Sequence, residues 1–121
     1  MVITIEGQKH ELYFGFDFLK EINQQMGLEV EGIALQAGGI IKLQSALAMN
    51  DPVAVVTALY AGTSTNKGRP TIAQLEKFLA VDLSDEEYDE LVEELKDALK
   101  KSPIIRRAIP KENEKSETDI N

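Results

Sequence analysis

The sequence contains no cysteine, no tryptophan and a single histidine, His10. The absence of cysteine excludes disulfides, thiolate nucleophiles and cysteine-ligated zinc. His10 has no second His or Cys to complete a typical transition-metal site, and we expect an ordinary surface or edge-strand residue. Ser84 is better explained as a helix cap than as a nucleophile, because His10 is the one imidazole that could act as its base. The sequence therefore favours a protein that is not an enzyme, with no cofactor and no metal.

Basic charge is scarce, with 13 Lys and Arg against 21 Asp and Glu and a net charge of -8. Proteins bind phosphate backbones largely through Lys and Arg, so a nucleic-acid partner is not expected. The acids concentrate in residues 82–97, which lack the alternating Asp pattern and final Glu of a calcium loop. A solvated helix face is the preferred interpretation of this run, and electrostatic docking of a basic partner is the alternative.

Long apolar runs are also absent. No stretch approaches the roughly 18–20 residues of a membrane span, and the first five residues lack the basic start of a signal peptide. The loop 62–68 contains Lys67 before Gly68 rather than after it, so its order does not fit a phosphate-binding loop. We expect a soluble intracellular protein with no membrane partner.

The chain has 121 residues, of which 43% are hydrophobic and 6% aromatic. This length suits one domain, and its core must come mainly from Leu, Ile, Val and Ala. The predicted fold class is mainly α with a small N-terminal β-hairpin (α+β), as a single compact domain of about five helices over residues 1–110. Residues 111–121 contain one apolar residue and are predicted to form a disordered polar tail.

Alternating apolar residues predict a hairpin over residues 2–16. Gly7-Gln8 in a type II′ turn is one placement, and Glu6-Gly7 in a type I′ turn is the alternative, shifted by one residue. A lone two-stranded hairpin is marginal in water, so helices or another chain must cover its apolar face.

Helical spacing and capping signals predict five helices, at about 17–27, 32–49, 52–62, 71–80 and 84–102. Asp17 and Asp51 are predicted N-caps, and capping boxes begin at Thr71 and Ser84. Gly38-Gly39 lies inside the second predicted helix, where glycine is unfavourable. We therefore expect a break, a kink or a close helix contact there.

The central predicted helix is apolar on nearly every side, which indicates that it is buried almost all round or partly covered by another subunit. A second short amphipathic segment follows Pro103, which interrupts the last long helix. These two segments supply the candidate partner-binding residues, which are Val53, Val56, Leu59, Tyr60, Ile104 and Ile105. Core packing within one subunit is the alternative for each of them, because apolar helical stripes usually face the core.

Several runs resemble the tail assembly chaperones of long-tailed, siphovirus-type phages and prophages of Gram-positive bacteria. The runs are ITIEGQKHEL (3–12), FGF (14–16), FLKEI (18–22), DPV (51–53), LYA (59–61), TNK (65–67) and RPT (69–71). The acidic helix from Ser84 to Leu99 is similar in kind to the end of that family's sequences. The resemblance covers about residues 1–102 in order.

The resemblance implies a small helical protein that acts in the cytoplasm of the bacterial host and is absent from the finished virion. It would bind the tape measure protein, keep it soluble and help recruit tail tube subunits. The hairpin face and the central helix would then supply either client contact or self-association into a homo-oligomer. The alternatives are a structural phage tail or head-tail connector protein, and an acidic regulatory module that binds a basic protein.

Overall fold

The computed structural model describes residues 1–30, 33–35 and 38–109. The strands are β1 (Val2–Ile5), β2 (Gln8–Glu11), β3 (Leu28–Val30) and β4 (Ile33–Leu35). The helices are α1 (Phe16–Met26), α2 (Gly38–Ala48), α3 (Pro52–Gly62), α4 (Ile72–Lys77), α5 (Asp85–Lys101) and α6 (Pro103–Ala108). The predicted fold class, mainly helical with an N-terminal hairpin, is confirmed. The predicted tail at 111–121 lies outside the described residues.

The N-terminal hairpin pairs β1 with β2 antiparallel. Its turn residues, Glu6 and Gly7, both have positive φ, 53° and 80°, which is the type I′ alternative. Ile3 lies opposite His10, so the two side chains share the face that packs on the core. His10 is accordingly only 4% exposed. His10 lies in an edge strand of the hairpin, as expected. It is not a surface residue, however, because the register of the hairpin turns its side chain toward the core.

Helices α1, α2 and α3 pack against one another around the largest buried side chains. Helix α2 comes close to α1 at Gly39, where an added Cβ would lie 2.7 Å from the carbonyl oxygen of Ile22. Helix α2 begins at Gly38. The contact at Gly39 is thus the close helix contact that was expected at the two glycines.

The predicted helix over 32–49 is wrong in its first part. Residues Ile33–Leu35 form β4, which pairs antiparallel with β3 in a second hairpin. The apolar spacing that suggested one helix runs across Gly38 and Gly39, and glycine is a poor helix former. The helix therefore begins only at these glycines, and residues 33–35 before them are extended. Residues 32, 36 and 37 of that predicted helix lie outside the described residues.

Local capping signals account for most of the other helix starts. The carboxylate of Asp51 accepts a hydrogen bond from the Val53 N–H at 2.9 Å, and both predicted capping boxes, at Thr71 and Ser84, are present. The predicted cap at Asp17 is wrong, because α1 begins one residue earlier and Asp17 lies in its first turn. An acidic residue there still favours the helix through the macrodipole.

The helix predicted at 71–80 is divided in two. After α4 the chain continues as a π-helical turn, Phe78–Asp82. Phe78 remains in the core, whereas Val81 is exposed. Such turns often lie at functional sites, because the extra residue changes the direction of the side chains that follow.

The C-terminal helices close the described part of the chain onto its beginning. Helix α5 buries Leu95 and Leu99, and Pro103 interrupts it before α6, as predicted. Between them, the Ser102 hydroxyl donates to the carbonyl oxygen of Phe14 at 2.6 Å. Within the described ranges, no helix is long and apolar enough to cross a membrane.

Candidate protein-binding groove

An open groove of about 470 Å³ runs between α3 and the α4–π-turn segment and reaches the start of α5. Its volume is comparable to that of small-molecule pockets, which span roughly 300–1,000 Å³. The described residues that line it are mostly apolar: Gln25, Pro52, Val53, Val56, Thr57, Tyr60, Ile72, Glu76, Leu79, Ala80 and Tyr88.

One wall of the groove is a single stripe of α3. Val53, Val56, Thr57 and Tyr60 stand at positions i, i+3, i+4 and i+7, so they share a face. With a rise of 1.5 Å per residue, the stripe is about 10 Å long, or two helical turns. The Thr57 hydroxyl donates to the carbonyl oxygen of Val53 at 2.9 Å, so it already has an acceptor within the helix. The wall is therefore apolar over its whole length.

The opposite wall comes from Ile72 of α4, from Leu79 and Ala80 of the π-helical turn, and from Tyr88 of α5. Ile72 is 44% exposed, and Leu79 and Tyr88 are half-buried. These three residues lie within the helices predicted at 71–80 and 84–102, but the sequence gave no sign that they face a groove. Helical periodicity identifies an apolar face and does not distinguish a core from a docking surface.

The six candidate partner-binding residues have different positions. Val53, Val56 and Tyr60 line the groove, and Val53 is 71% exposed. Leu59 is 0% exposed because it lies about 100° around the helix from Tyr60 and faces the core. Ile105 is also 0% exposed.

Ile104 is half-buried on α6 and is not among the described lining residues of the groove. The groove therefore brings together three of the six candidates, all from α3.

Tyr60 is held in place by Arg69, which lies in the loop after α3. The guanidinium carbon lies 3.4 Å from the centroid of the Tyr60 ring, which is a cation–π contact. Nη2 of Arg69 donates to both carboxylate oxygens of Glu21 on α1, at 2.6 Å each, and to the carbonyl oxygen of Tyr60 at 2.7 Å. The Tyr60 end of this wall is therefore positioned before any partner binds, which lowers the entropy cost of binding there.

The edge of the groove is acidic. Glu76 lies in the lining, and among the described lining residues there is no Lys or Arg. Burial raises the pKa of the Tyr88 hydroxyl, and the carboxylates of Asp51 and Asp89 raise it further. The hydroxyl therefore stays protonated and able to donate. The residues that the structure describes contain no group of three or more His, Cys, Asp or Glu that could hold a metal ion.

A family model described as "phage tail assembly chaperone protein" matches residues 2–112. The chain belongs to this family. The resemblance to tail assembly chaperones is thus confirmed, whereas the long-tailed, siphovirus-type phage and the Gram-positive host stay predictions. Comparisons with curated proteins and with solved structures found no match. A tail assembly chaperone works through protein partners, so family membership favours an open apolar groove as a binding surface over an active site.

Proposed function

We propose that this protein is a tail assembly chaperone that holds an apolar segment of the tape measure protein in the groove between α3 and α4. Through this contact it keeps the tape measure protein soluble and helps recruit tail tube subunits. The observation that carries the proposal is the open apolar stripe of α3 in a member of this family. Exposed apolar surface of this kind is typical of protein interaction sites.

The shape of the groove suits a helical client. A stripe at i, i+3, i+4 and i+7 is the complement of an amphipathic helix that lays its own apolar face into a groove. Full burial of an aliphatic side chain contributes about 1.5–3 kcal/mol. Val53 is 71% exposed and Ile72 is 44% exposed, so both have much of this contribution still to gain when a client covers them.

The test is co-expression with the tape measure protein encoded by the same phage or prophage, with the soluble fraction of that protein as the readout. Val53→Asp and Val56→Asp place a charge in the apolar wall and should abolish solubilisation. Val2→Asp is the matched control, because Val2 is 49% exposed on the hairpin and is not a lining residue of the groove. Thermal melting by circular dichroism separates a loss of binding from a loss of folding. A folded Val53→Asp variant that solubilises its client as well as the wild type does would contradict the proposal.

On this proposal the protein acts in the host cytoplasm during assembly and is absent from the mature virion. Mass spectrometry of purified particles tests this point against the alternative of a structural tail or connector protein. Stoichiometric recovery of the chain from virions would favour the structural alternative.

A further inference from the structure

Three exposed carboxylates surround the groove. Asp51 stands at the start of α3 next to the lining residue Pro52, Glu76 projects from α4, and Asp89 follows Tyr88 on α5. In the part of the chain that the structure describes, none of the three has a Lys or Arg nitrogen within 4.0 Å. The apolar floor is therefore bordered by negative charge that no described basic side chain neutralises.

Two of these charges, Asp51 and Asp89, lie near Tyr88 at one end of the groove. Asp51 and Asp89 both act on the Tyr88 hydroxyl, which shows that their fields meet there. At the Tyr60 end, the positive charge of Arg69 is offset by the carboxylate of Glu21 at 2.6 Å. A cation on a partner would therefore be attracted most strongly where Val53 and Tyr88 line the groove.

We propose that the groove selects an amphipathic helix whose apolar stripe is flanked by Lys or Arg, and that Asp51, Glu76 and Asp89 recognise this charge. The inference rests on the proposed function and adds the chemistry of the client segment. A second copy of this chain is a poor occupant, because its net charge is -8. Complementary charge across such an interface gives specificity and faster association.

The test uses two synthetic helical peptides of equal length with the same leucine stripe at i, i+3, i+4 and i+7. One carries lysines beside the stripe and the other glutamates, and binding to the full chain is measured by fluorescence anisotropy. We expect the lysine peptide to bind about tenfold more tightly at 0.1 M salt, where the screening length is about 10 Å. At 1 M salt, where that length is about 3 Å, the two affinities should converge.

Two variants with the same change of charge locate the effect. Glu76→Lys should remove most of the preference for the lysine peptide. Glu94→Lys is the control, because Glu94 is exposed on α5 and is not a lining residue of the groove. The preference of the Glu94→Lys variant for the lysine peptide should remain close to that of the wild type. Equal effects of the two variants would indicate the overall net charge as the cause and would overturn the inference.

The remaining outcomes separate this inference from the proposed function. If both peptides bind equally at 0.1 M salt and Val53→Asp abolishes both, charge selection is wrong while the groove remains a client site. If neither peptide binds, the inference is overturned, and a folded Val53→Asp variant that still solubilises the tape measure protein would also show that the groove is not the client site. If sedimentation shows a dimer that Val53→Asp dissociates, a second copy covers the groove and the inference is overturned.

Discussion

Replacing Arg69 by methionine should destabilise the fold, because this side chain joins the loop after α3 to α1 and to the end of α3. The side chains of Arg69 and Glu21 are 24% and 16% exposed, so their ion pair is intermediate between a surface pair and a buried one. A surface pair contributes about 0–1 kcal/mol, and loss of one member of a buried pair costs about 3–5 kcal/mol. We take about 2 kcal/mol for the pair and about 1 kcal/mol for the contact with the Tyr60 ring.

The expected loss in the free energy of unfolding is therefore about 3 kcal/mol, or a fall of about 12 °C in Tm for a chain of this size. Urea unfolding followed by circular dichroism measures it, with Glu21→Gln and the double variant completing a thermodynamic cycle. The two single losses should exceed the double loss by about 1.5 kcal/mol, since the residues are partners. Arg69→Lys should recover only part of the loss, because an ammonium group lacks the planar guanidinium fork. A loss below about 1 kcal/mol for Arg69→Met, or strict additivity in the cycle, would refute this reasoning.

Four further variants test other parts of the structure. Leu59→Ala should lower the free energy of unfolding by about 2–5 kcal/mol, because Leu59 is fully buried. Val53→Ala should change it by less than about 0.5 kcal/mol, because Val53 is exposed. Similar losses for the two variants would show that the two sides of α3 are wrongly assigned. Gly39→Ala should lower Tm despite the better helix propensity of alanine, because the added Cβ would lie 2.7 Å from a backbone oxygen of α1; a rise in Tm would contradict that close contact. Hydrogen bonds from the backbone and side chain of Ser84 lower the pKa of Glu87, so this contribution to stability is present above the ordinary carboxyl pKa of 4.5 and is lost as the pH falls through the lower folded value. Glu87→Gln removes the titrating group and should remove that acid-dependent part of the unfolding curve, and an unchanged pH profile would show that Glu87 does not contribute it.

Local signals in the sequence were sufficient for most helix boundaries. Asp51-Pro52 marks the start of α3 because an N-cap oxygen and a proline at the first helical position act over a few residues. The capping boxes at Thr71 and Ser84 act over the same short range. Each of these signals is chemical and local, so one sequence is enough to identify it.

The rest depends on contacts between distant parts of the chain. Val53 and Leu59 are similar in hydropathy, and only the packing of α1, α2 and α4 around α3 decides that Leu59 faces the core while Val53 lines the groove. Arg69 appeared in the sequence only as part of a short run, because its partner Glu21 is 48 residues away. Pairing of β3 with β4 replaced a helix, since strand formation depends on a neighbouring strand that helical periodicity does not reveal.

The hydrogen bond from Ser102 to Phe14 has a consequence for the order of events during synthesis. Its two residues are 88 positions apart. At the usual rate of about 5–20 residues per second, the ribosome adds Ser102 about 4–18 s after Phe14. For that interval the carbonyl of Phe14 lacks its final donor. This hydrogen bond can therefore form only after nearly all of the described residues have been made, although Phe14 is among the first of them.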